Sequence, residues 1–380
     1  MRNLPREVKD RSLSSYLILT ISILIALGGC STAQKELKPL VFPSPPEEPR
    51  FVYEATIRSG ADIKDITTSD KFLIFATGSA GESFGLSKPY GVAVREGRIY
   101  VSDTVQRAVL MFDAPRGETK FIGTDGPGRL LKPLGIDTSS NGDVYVADNT
   151  AKRVVVFDKD GNFLRALGNK DNLERPSGVT ISPDGKLAYV VDTGGIDSER
   201  HNVVVFDTQS GEHLSTIGKR GVNDGEFNLP LQAATGPDGT LYVVDTGNFR
   251  IEAFNPDNSF KFSWGKAGRN RGDFSRPKGV ATDNEGNIYI ADAAFGNFQI
   301  FSKDRELLLF IGNRDEQGGP AKYMLPAGID VDEDGRIYLI DQYFSKLEIF
   351  RPAKLTREDG YLGTRYREQI QKEMKESKKK

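Results

Sequence analysis

The stretch PLQAATGPDGTLYVVDTGNFRIEAFNPDNSFKFSWG, residues 230–265, contains four short apolar runs separated by turn residues. The runs are rich in Val, Ile, Tyr and Phe, which favour β-strands, whereas the turns contain Gly, Pro, Asn and Asp. An Asp-Gly pair between the first two runs is typical of a hairpin, because such turns need a positive φ angle. The stretch therefore predicts a sheet of four short strands.

This pattern occurs six times, at intervals of 43 to 54 residues. Each copy begins with a proline and continues with a Tyr three residues before an Asp; Gly follows the proline by two residues in five copies, and the fourth has Gln232. The prolines are Pro89, Pro133, Pro176, Pro230, Pro277 and Pro326, and the aspartates, called here the repeat aspartates, are Asp103, Asp148, Asp192, Asp245, Asp292 and Asp341. Repeats of this kind are typical of propeller blades. We predict an all-β, six-bladed β-propeller.

The sixth copy lacks a good fourth strand, so we expect an N-terminal strand to close the last blade and remove the open edge of the ring. Two segments have suitable composition, RFVYEATI at residues 50–57 and KFLIFATG at residues 71–78. The spacing favours the second, because Gly78 lies eleven residues before Pro89, as expected for the glycine that ends a fourth strand. The first segment remains an alternative.

The first thirty residues predict export. Basic residues precede an apolar run of twelve residues, 16–27, which suits a signal peptide and is too short to span a bilayer comfortably. Gly-Gly-Cys30 follows and resembles a bacterial lipobox, so we expect lipidation at Cys30 and anchoring in the outer membrane; a plain cleaved signal peptide is the alternative. We predict a signal peptide at 1–29, a proline-rich tether at 30–50, the propeller at 51–353 and a basic tail at 354–380.

Composition excludes several classes of site. Cys30 is the only cysteine, so a disulfide, a thiolate metal cage or a haem attachment motif cannot form within the chain. The net charge of -2 gives no reason to expect nucleic acid. The stretch IDVDEDGRIYLID, residues 329–341, has the acidic spacing of a calcium loop, but it falls on a repeat hairpin without flanking helices. We therefore interpret it as a turn.

The motifs Pro-x-Gly, IYIAD, DTGNFRIEAF and GKAGRNRGDFSRP resemble those of the NHL repeat family over roughly residues 86–351. With the lipobox and the tether, the chain is similar to bacterial NHL-type lipoproteins, a group without a shared chemistry. The resemblance implies a six-bladed propeller and leaves the activity open, since a fold does not define a function.

Propeller enzymes of similar type imply a metal at the central channel. A zinc site of three histidines is impossible because the chain has only His201 and His213, and we expect His201 to lie in a solvated loop. The residues between Pro and Gly, which we expect at the channel mouth, include no acid. Because catalysis rarely needs six copies of one group, we interpret the repeat aspartates as hydrogen-bond acceptors in the turn after the second strand. We predict no metal, no cofactor and no catalytic residue.

The two faces of the propeller differ in charge. One, called here the hairpin face, carries the turns between strands one and two and between strands three and four, and is mainly acidic. The other, called here the proline face, carries the loops that lead into the blade prolines and those between strands two and three, and has an excess of Lys and Arg. The candidate binding residues on the proline face are Phe249, Arg250, Lys266, Arg269, Arg271, Arg276, Lys278, Phe295, Tyr343 and Phe344.

Cationic and aromatic groups together favour an anionic partner. The sequence therefore predicts a noncatalytic, lipid-anchored scaffold or binding protein of the cell envelope, with a protein or an anionic glycan as partner and neither nucleic acid nor haem of its own. A metal-dependent, lactonase-like hydrolase or lyase is the alternative. Solvation of these cations, with the aromatic rings capping the blades, is the alternative for the site.

Overall fold

The computed structural model describes residues 39–64, 84–364 and 367–368. Two strands, β1 (Val41–Phe42) and β2 (Phe51–Ile57), and a 3-10 turn (Gly60–Ile63) precede the first blade proline. Blade 1 contains β3 (Pro89–Arg95), β4 (Arg98–Asp103), β5 (Ala108–Asp113) and β6 (Glu118–Ile122), and blade 2 contains β7 (Pro133–Thr138), β8 (Val144–Asp148), β9 (Arg153–Phe157) and β10 (Phe163–Leu167). Each blade begins at its predicted proline.

Blade 3 contains β11 (Pro176–Ile181), β12 (Leu187–Asp192), β13 (Asn202–Asp207) and β14 (His213–Ile217). Blade 4 contains β15 (Pro230–Thr235), β16 (Leu241–Asp245), a 3-10 turn (Thr246–Asn248), β17 (Arg250–Phe254) and β18 (Phe260–Trp264). Blade 5 contains β19 (Pro277–Thr282), β20 (Ile288–Asp292), β21 (Asn297–Phe301) and β22 (Leu307–Ile311). The next loop contains a parallel pair, β23 (Asn313–Arg314) and β24 (Lys322–Tyr323), and blade 6 follows with β25 (Pro326–Val331), β26 (Ile337–Asp341) and β27 (Lys346–Pro352).

The blades form a closed ring. The first strand of each blade contacts the first strands of both neighbours, and β25 of blade 6 contacts β3 of blade 1. Each of the six buried hydrophobic clusters draws its residues from two adjacent blades, including the clusters between blades 6 and 1 and between blades 5 and 6. The prediction of an all-β, six-bladed propeller is therefore confirmed.

The glycine of the Pro-x-Gly motif allows neighbouring inner strands to approach closely. A Cβ atom added at Gly279 would lie 2.2 Å from the carbonyl oxygen of Ala327 in the next blade, and one at Gly328 would lie 2.7 Å from that of Tyr90. Side chains cannot occupy such positions, because heavy atoms at this distance overlap. The motif thus sets the spacing between blades, which explains its repetition.

An N-terminal strand closes blade 6, as predicted, but it is not the segment favoured by spacing. β2 pairs with β27 from Phe51 opposite Pro352 to Ile57 opposite Leu347. The preference for residues 71–78 was therefore wrong, and that segment lies outside the described residues. The blade also gains β1 as a fifth strand, so residues 41–42 of the predicted tether pair with the sheet.

A buried ion pair holds the closing strand. The Nε of Arg336 lies 2.9 Å from Oε2 of Glu54, and both side chains are almost fully buried. The same guanidinium donates to the carbonyl oxygen of Asp359 at 2.9 Å, in the segment that follows blade 6. Leu362 packs in the cluster between blades 6 and 1. The closing strand and the segment after blade 6 are thus both joined to the last hairpin. Cys30 and residues 369–380 lie outside the described residues.

Candidate ligand-binding face

The repeat aspartates organise the proline face. The carboxylate of Asp103 accepts hydrogen bonds from the backbone N–H groups of Ser87 and Lys88 at 2.7 and 2.9 Å, and from those of Val105 and Gln106 at 3.0 Å. It therefore joins the loop that enters its blade to the turn after the second strand. All six repeat aspartates have no exposed surface. Their interpretation as structural acceptors is confirmed.

Three longer loops on this face are held by hydrogen bonds to buried side chains, a feature that the sequence analysis did not predict. The loops cover residues 218–229, 265–276 and 312–325. Their backbone N–H groups donate to polar side chains in the third strand of the following blade: Gly225 to Glu252 at 3.1 Å, Gly272 to Gln299 at 2.8 Å and Ala321 to Glu348 at 2.9 Å. Each acceptor stands two residues before the Phe that ends the third run, where blades 1 to 3 have Leu or Val. This pattern could have been found in the sequence.

The buried acceptors have internal partners. Burial raises the pKa of Glu252 to about 8, although the nearby Arg250 guanidinium opposes this effect. Glu348 lies 2.5 Å from the ammonium group of Lys346 and also accepts a hydrogen bond from the Tyr323 hydroxyl at 2.6 Å. Because these groups are buried and paired, they hold the loops in one conformation and are not available to a ligand.

Four of the predicted cations lie on one such loop and are exposed: Lys266, Arg269, Arg271 and Arg276. The guanidinium of Arg271 lies 4.4 Å from the centre of the Phe310 ring, a cation–π contact, and Lys266 lies 3.9 Å from Asp273. Loop 265–276 therefore presents a cluster of accessible positive charge on an ordered backbone.

Lys278 lies closer to the axis of the propeller, because it directly follows a blade proline. Its side chain is partly buried, and its ammonium group donates to Oε1 of Gln342 at 3.1 Å. Burial lowers the pKa of Lys278 to about 8, and the positive charges of Arg276 and Lys88 lower it further in the same direction. An anion at this position would relieve that repulsion.

Arg250 differs from the other candidates, because its guanidinium is already bound within the chain. It contacts the carboxylates of Asp245 and Glu252 at 2.9 and 2.6 Å, and donates to three carbonyl oxygens of loop 218–229. Its charge therefore stabilises that loop. Its role as a ligand contact remains a prediction.

The predicted aromatic residues differ in accessibility. Tyr343 is 62% exposed, and its ring meets that of Phe344 edge to face at 5.0 Å. Phe344, Phe249 and Phe295 are partly buried. Phe249 also packs against the cluster between blades 4 and 5. Tyr343 is thus the aromatic candidate that projects most freely from the proline face.

The central channel corrects one expectation. It has a volume of about 390 Å³ and is lined by the inner strands from the glycine position onward, toward the hairpin face. Its lining includes Asp137, Asp283 and Asp330, so the residues between Pro and Gly, none of them acidic, did not represent the lining. None of the three stands between a proline and the glycine of the motif, because Asp137 and Asp330 follow a proline by four residues and Asp283 follows one by six.

Two of the channel carboxylates, those of Asp137 and Asp330, connect neighbouring blades. Asp137 accepts a hydrogen bond from the backbone N–H of Ile181 at 2.8 Å, and Asp330 accepts one from that of Val94 at 2.7 Å. Burial raises the pKa of Asp137 to about 6 and that of Asp330 well above its usual range, and the charge of Asp137 contributes to the latter shift. The described residues contain no group of three or more His, Cys, Asp or Glu that could hold a metal ion.

The calcium-like stretch forms a hairpin, as interpreted from the sequence. Asp332 accepts hydrogen bonds from the backbone N–H groups of Asp334 and Arg336 and from the Tyr338 hydroxyl. Asp334 accepts one from the backbone N–H of Tyr361 at 2.8 Å. The carboxylates are thus directed to donors of the chain itself.

His201 corrects a further expectation, because it is buried rather than solvated. Its Nε2 lies 3.0 Å from the carbonyl oxygen of Gly195, and its Nδ1 accepts a hydrogen bond from the backbone N–H of Leu229 at 3.2 Å. The imidazole therefore joins the longer turn of blade 3 to the loop that enters blade 4. The corresponding turn has four residues in each of the other five blades and offered no sequence precedent for this contact.

Comparisons with known proteins agree with this geometry. Residues 130–157 and 274–301 match the NHL repeat family. Human NHL repeat-containing protein 3 is 32% identical over 141 residues, which cover 36% of this chain and 38% of that protein. Protein lin-41 of Caenorhabditis elegans is 36% identical over 76 residues, which cover 20% of this chain and 6% of lin-41. The chain therefore spans well under half the length of these relatives.

Solved structures share the fold at low sequence identity. A streptogramin B lyase has a TM-score of 0.52 and 15% identity, covering 70% of this chain and 94% of its own. A gluconolactonase from Xanthomonas campestris has a TM-score of 0.53 and 17% identity, covering 70% of this chain and 86% of its own. Such similarity concerns the architecture alone.

The ring of six blades and its ordered proline face define a β-propeller of the repeat type. The chain contains NHL repeats, at residues 130–157 and 274–301. No helix among the described residues is long and apolar enough to cross a membrane.

Proposed function

We propose that this chain is a noncatalytic binding protein of the cell envelope that presents its proline face to an anionic protein or glycan. The observation that carries the proposal is loop 265–276, where four exposed cations stand on a backbone fixed by Gln299. A preorganised loop loses little conformational entropy on binding, so less of the electrostatic attraction to a partner is offset. Electrostatic attraction of this kind also directs encounter with a partner of opposite charge.

The proposed location rests on the sequence. A lipid on Cys30 would hold the chain at a membrane, and the proline-rich segment after it would separate the propeller from the surface. Growth with a radiolabelled fatty acid tests this part. We expect label in the wild type and none in Cys30→Ser, whereas equal labelling would refute the anchor.

The binding role is tested by charge reversal. The variant R269E/R271E/R276E should lose partners that the wild type captures from crosslinked cell envelopes, because attraction becomes repulsion. The matched control K159E/K186E/K303E makes the same change in charge on the hairpin face and should retain them. Identical partner sets for the wild type and the proline-face variant would reject the proposed surface.

A second function is favoured by one observation, the pair Asp137 and Asp330 in a channel of about 390 Å³. Such a pair is compatible with a metal-dependent hydrolase or lyase of the lactonase type, in which a divalent cation would polarise a substrate carbonyl. Stoichiometric metal in the purified chain, with hydrolysis that is lost on chelation and in Asp137→Asn, would support this function over the first.

A further inference from the structure

Four exposed basic side chains occupy one repeated position around the propeller. The residue directly before the blade proline is Lys88 in blade 1, Lys132 in blade 2, Arg175 in blade 3 and Arg276 in blade 5. Blades 4 and 6 have leucine there. We call these four residues the cation ring. Three of them lie outside the loop that carries the proposed function.

The backbone of each ring residue is fixed by the same contacts. Its N–H donates to the repeat aspartate of its own blade, at 2.9 Å for Lys88, 2.9 Å for Lys132, 2.6 Å for Arg175 and 3.1 Å for Arg276. Its carbonyl oxygen accepts from the residue after that aspartate, at 2.9 to 3.3 Å. Since the prolines begin the strands that surround the channel, the four cations are arranged around the axis on the proline face.

The charged groups of the cation ring have no bonded partner in the part of the chain that the structure describes. None of its four side chains forms an ion pair or a hydrogen bond with any residue that the structure describes. Two members of the ring, Lys88 and Arg276, also act electrostatically on Lys278, which directly follows a blade proline. Like charges placed around one axis repel each other, so a polyanion centred on that axis would bind with net relief of repulsion.

Apolar side chains accompany these charges. Among the described residues, Val105, Leu131, Ile196, Val222 and Tyr343 are large hydrophobic side chains that stand exposed on loops of the proline face. Their exposure is high, reaching 73% for Ile196 and 69% for Val222. A glycan or a phosphate group offers aliphatic side chains little to pack against, whereas a protein surface buries them. The combination favours a protein as partner.

We propose that the proline face binds an acidic protein surface whose carboxylates lie on the cation ring and whose apolar side chains pack on the surrounding Val105, Ile196 and Val222. This inference rests on the proposed binding function and names the partner chemistry of that face. The ring supplies electrostatic attraction along the axis, and the apolar residues distinguish a protein from other polyanions.

Defined polyanions test the inference with the full chain. The probes are poly-L-glutamate, a glutamate–tyrosine copolymer and polygalacturonate, compared at one ionic strength by fluorescence anisotropy. We expect the copolymer to bind at least about tenfold more tightly than polygalacturonate, because only the copolymer adds apolar contacts. Binding of poly-L-glutamate should weaken with added salt.

Two variants and a control separate the contributions. The ring variant K88Q/K132Q/R175Q/R276Q should lose about tenfold or more in affinity for both polypeptides. The apolar variant V105S/I196S/V222S should weaken the copolymer alone. The control K120Q/K159Q/K186Q/K303Q removes four charges outside the proline face and should bind as the wild type does. Since all substituted side chains are exposed, thermal unfolding should be nearly unchanged.

The remaining outcomes overturn the inference in distinguishable ways. If the ring variant binds both polypeptides as the wild type does while K266Q/R269Q/R271Q does not, the ring is refuted and the proposed binding function stands. Equal or tighter binding of polygalacturonate, unaffected by the apolar variant, would refute a protein partner and favour a glycan. Failure of every probe to bind the wild type would count against both proposals.

Discussion

Substitution of Glu54 by Met tests the closure of the ring. The change removes the buried carboxylate that pairs with Arg336 and leaves the guanidinium charged, since Arg does not deprotonate in proteins. Breaking a buried ion pair in this way costs about 3–5 kcal/mol of unfolding free energy. Asp334 lies 3.6 Å from Nη1 of Arg336 and would compensate in part, so we expect a value near the lower limit, about 3 kcal/mol.

This magnitude converts into a measurable change in melting temperature. An unfolding entropy of roughly 2.1 cal/mol/K per residue, over roughly 300 residues of propeller, amounts to about 0.6 kcal/mol/K. Loss of about 3 kcal/mol therefore lowers Tm by about 5 °C, measured by differential scanning calorimetry. The control Glu48→Gln changes an exposed carboxylate nearby and should shift the unfolding free energy by less than about 0.5 kcal/mol.

A double variant isolates the charge effect. In E54M/R336M both buried charges are gone, and an apolar pair of similar size often replaces an ion pair without loss. The hydrogen bond from Arg336 to Asp359 is also lost, so we expect a residual cost of about 1 kcal/mol. A single variant that melts like the wild type, or a double variant less stable than Glu54→Met, would refute the account of how β2 closes the ring.

Two further predictions concern the inner strands. Gly279→Ala should destabilise the propeller by about 1–3 kcal/mol, because its Cβ would overlap the backbone of Ala327. The control Gly85→Ala should be tolerated, because its Cβ would lie 3.4 Å from the nearest atom. Urea unfolding compares the two variants, and equal stability would contradict the argument that the inner strands need glycine for close approach. A pKa of about 6 for Asp137 against an ordinary 3.8 means that the folded state binds this proton more tightly, so its stabilising contribution is complete below about pH 4 and is lost as the pH rises to about 6. Because solvent in the channel screens the charge, the loss of unfolding free energy is about 1–3 kcal/mol. Asp137→Asn should flatten the pH profile of unfolding free energy between about pH 4 and 6, whereas the control Asp197→Asn should not. Parallel profiles for the wild type and Asp137→Asn would contradict the raised pKa of Asp137.

The candidate site was only partly predictable. The cations of loop 265–276 are evident in the sequence, and the structure leaves them exposed. The engagement of Arg250 with Asp245 and Glu252 was not evident, because it depends on how loop 218–229 folds over the next blade. The burial of His201 has the same origin, since its partner Leu229 lies in a different blade. Contacts between blades thus determined which polar residues remain free.

The sequence by itself determined the number and order of the blades, since each blade is a local unit whose prolines, hairpin turns and repeat aspartates lie within about fifty residues of one another. Tertiary structure alone decided which N-terminal segment completes blade 6, because pairing of Phe51–Ile57 with Lys346–Pro352 depends on register and on Glu54 meeting Arg336 nearly three hundred residues away. It also decided that Asp137 and Asp330 share one channel, and that Lys88, Lys132, Arg175 and Arg276 surround one axis. These residues become neighbours only when the ring closes, because closure brings equivalent positions of distant repeats around a common centre.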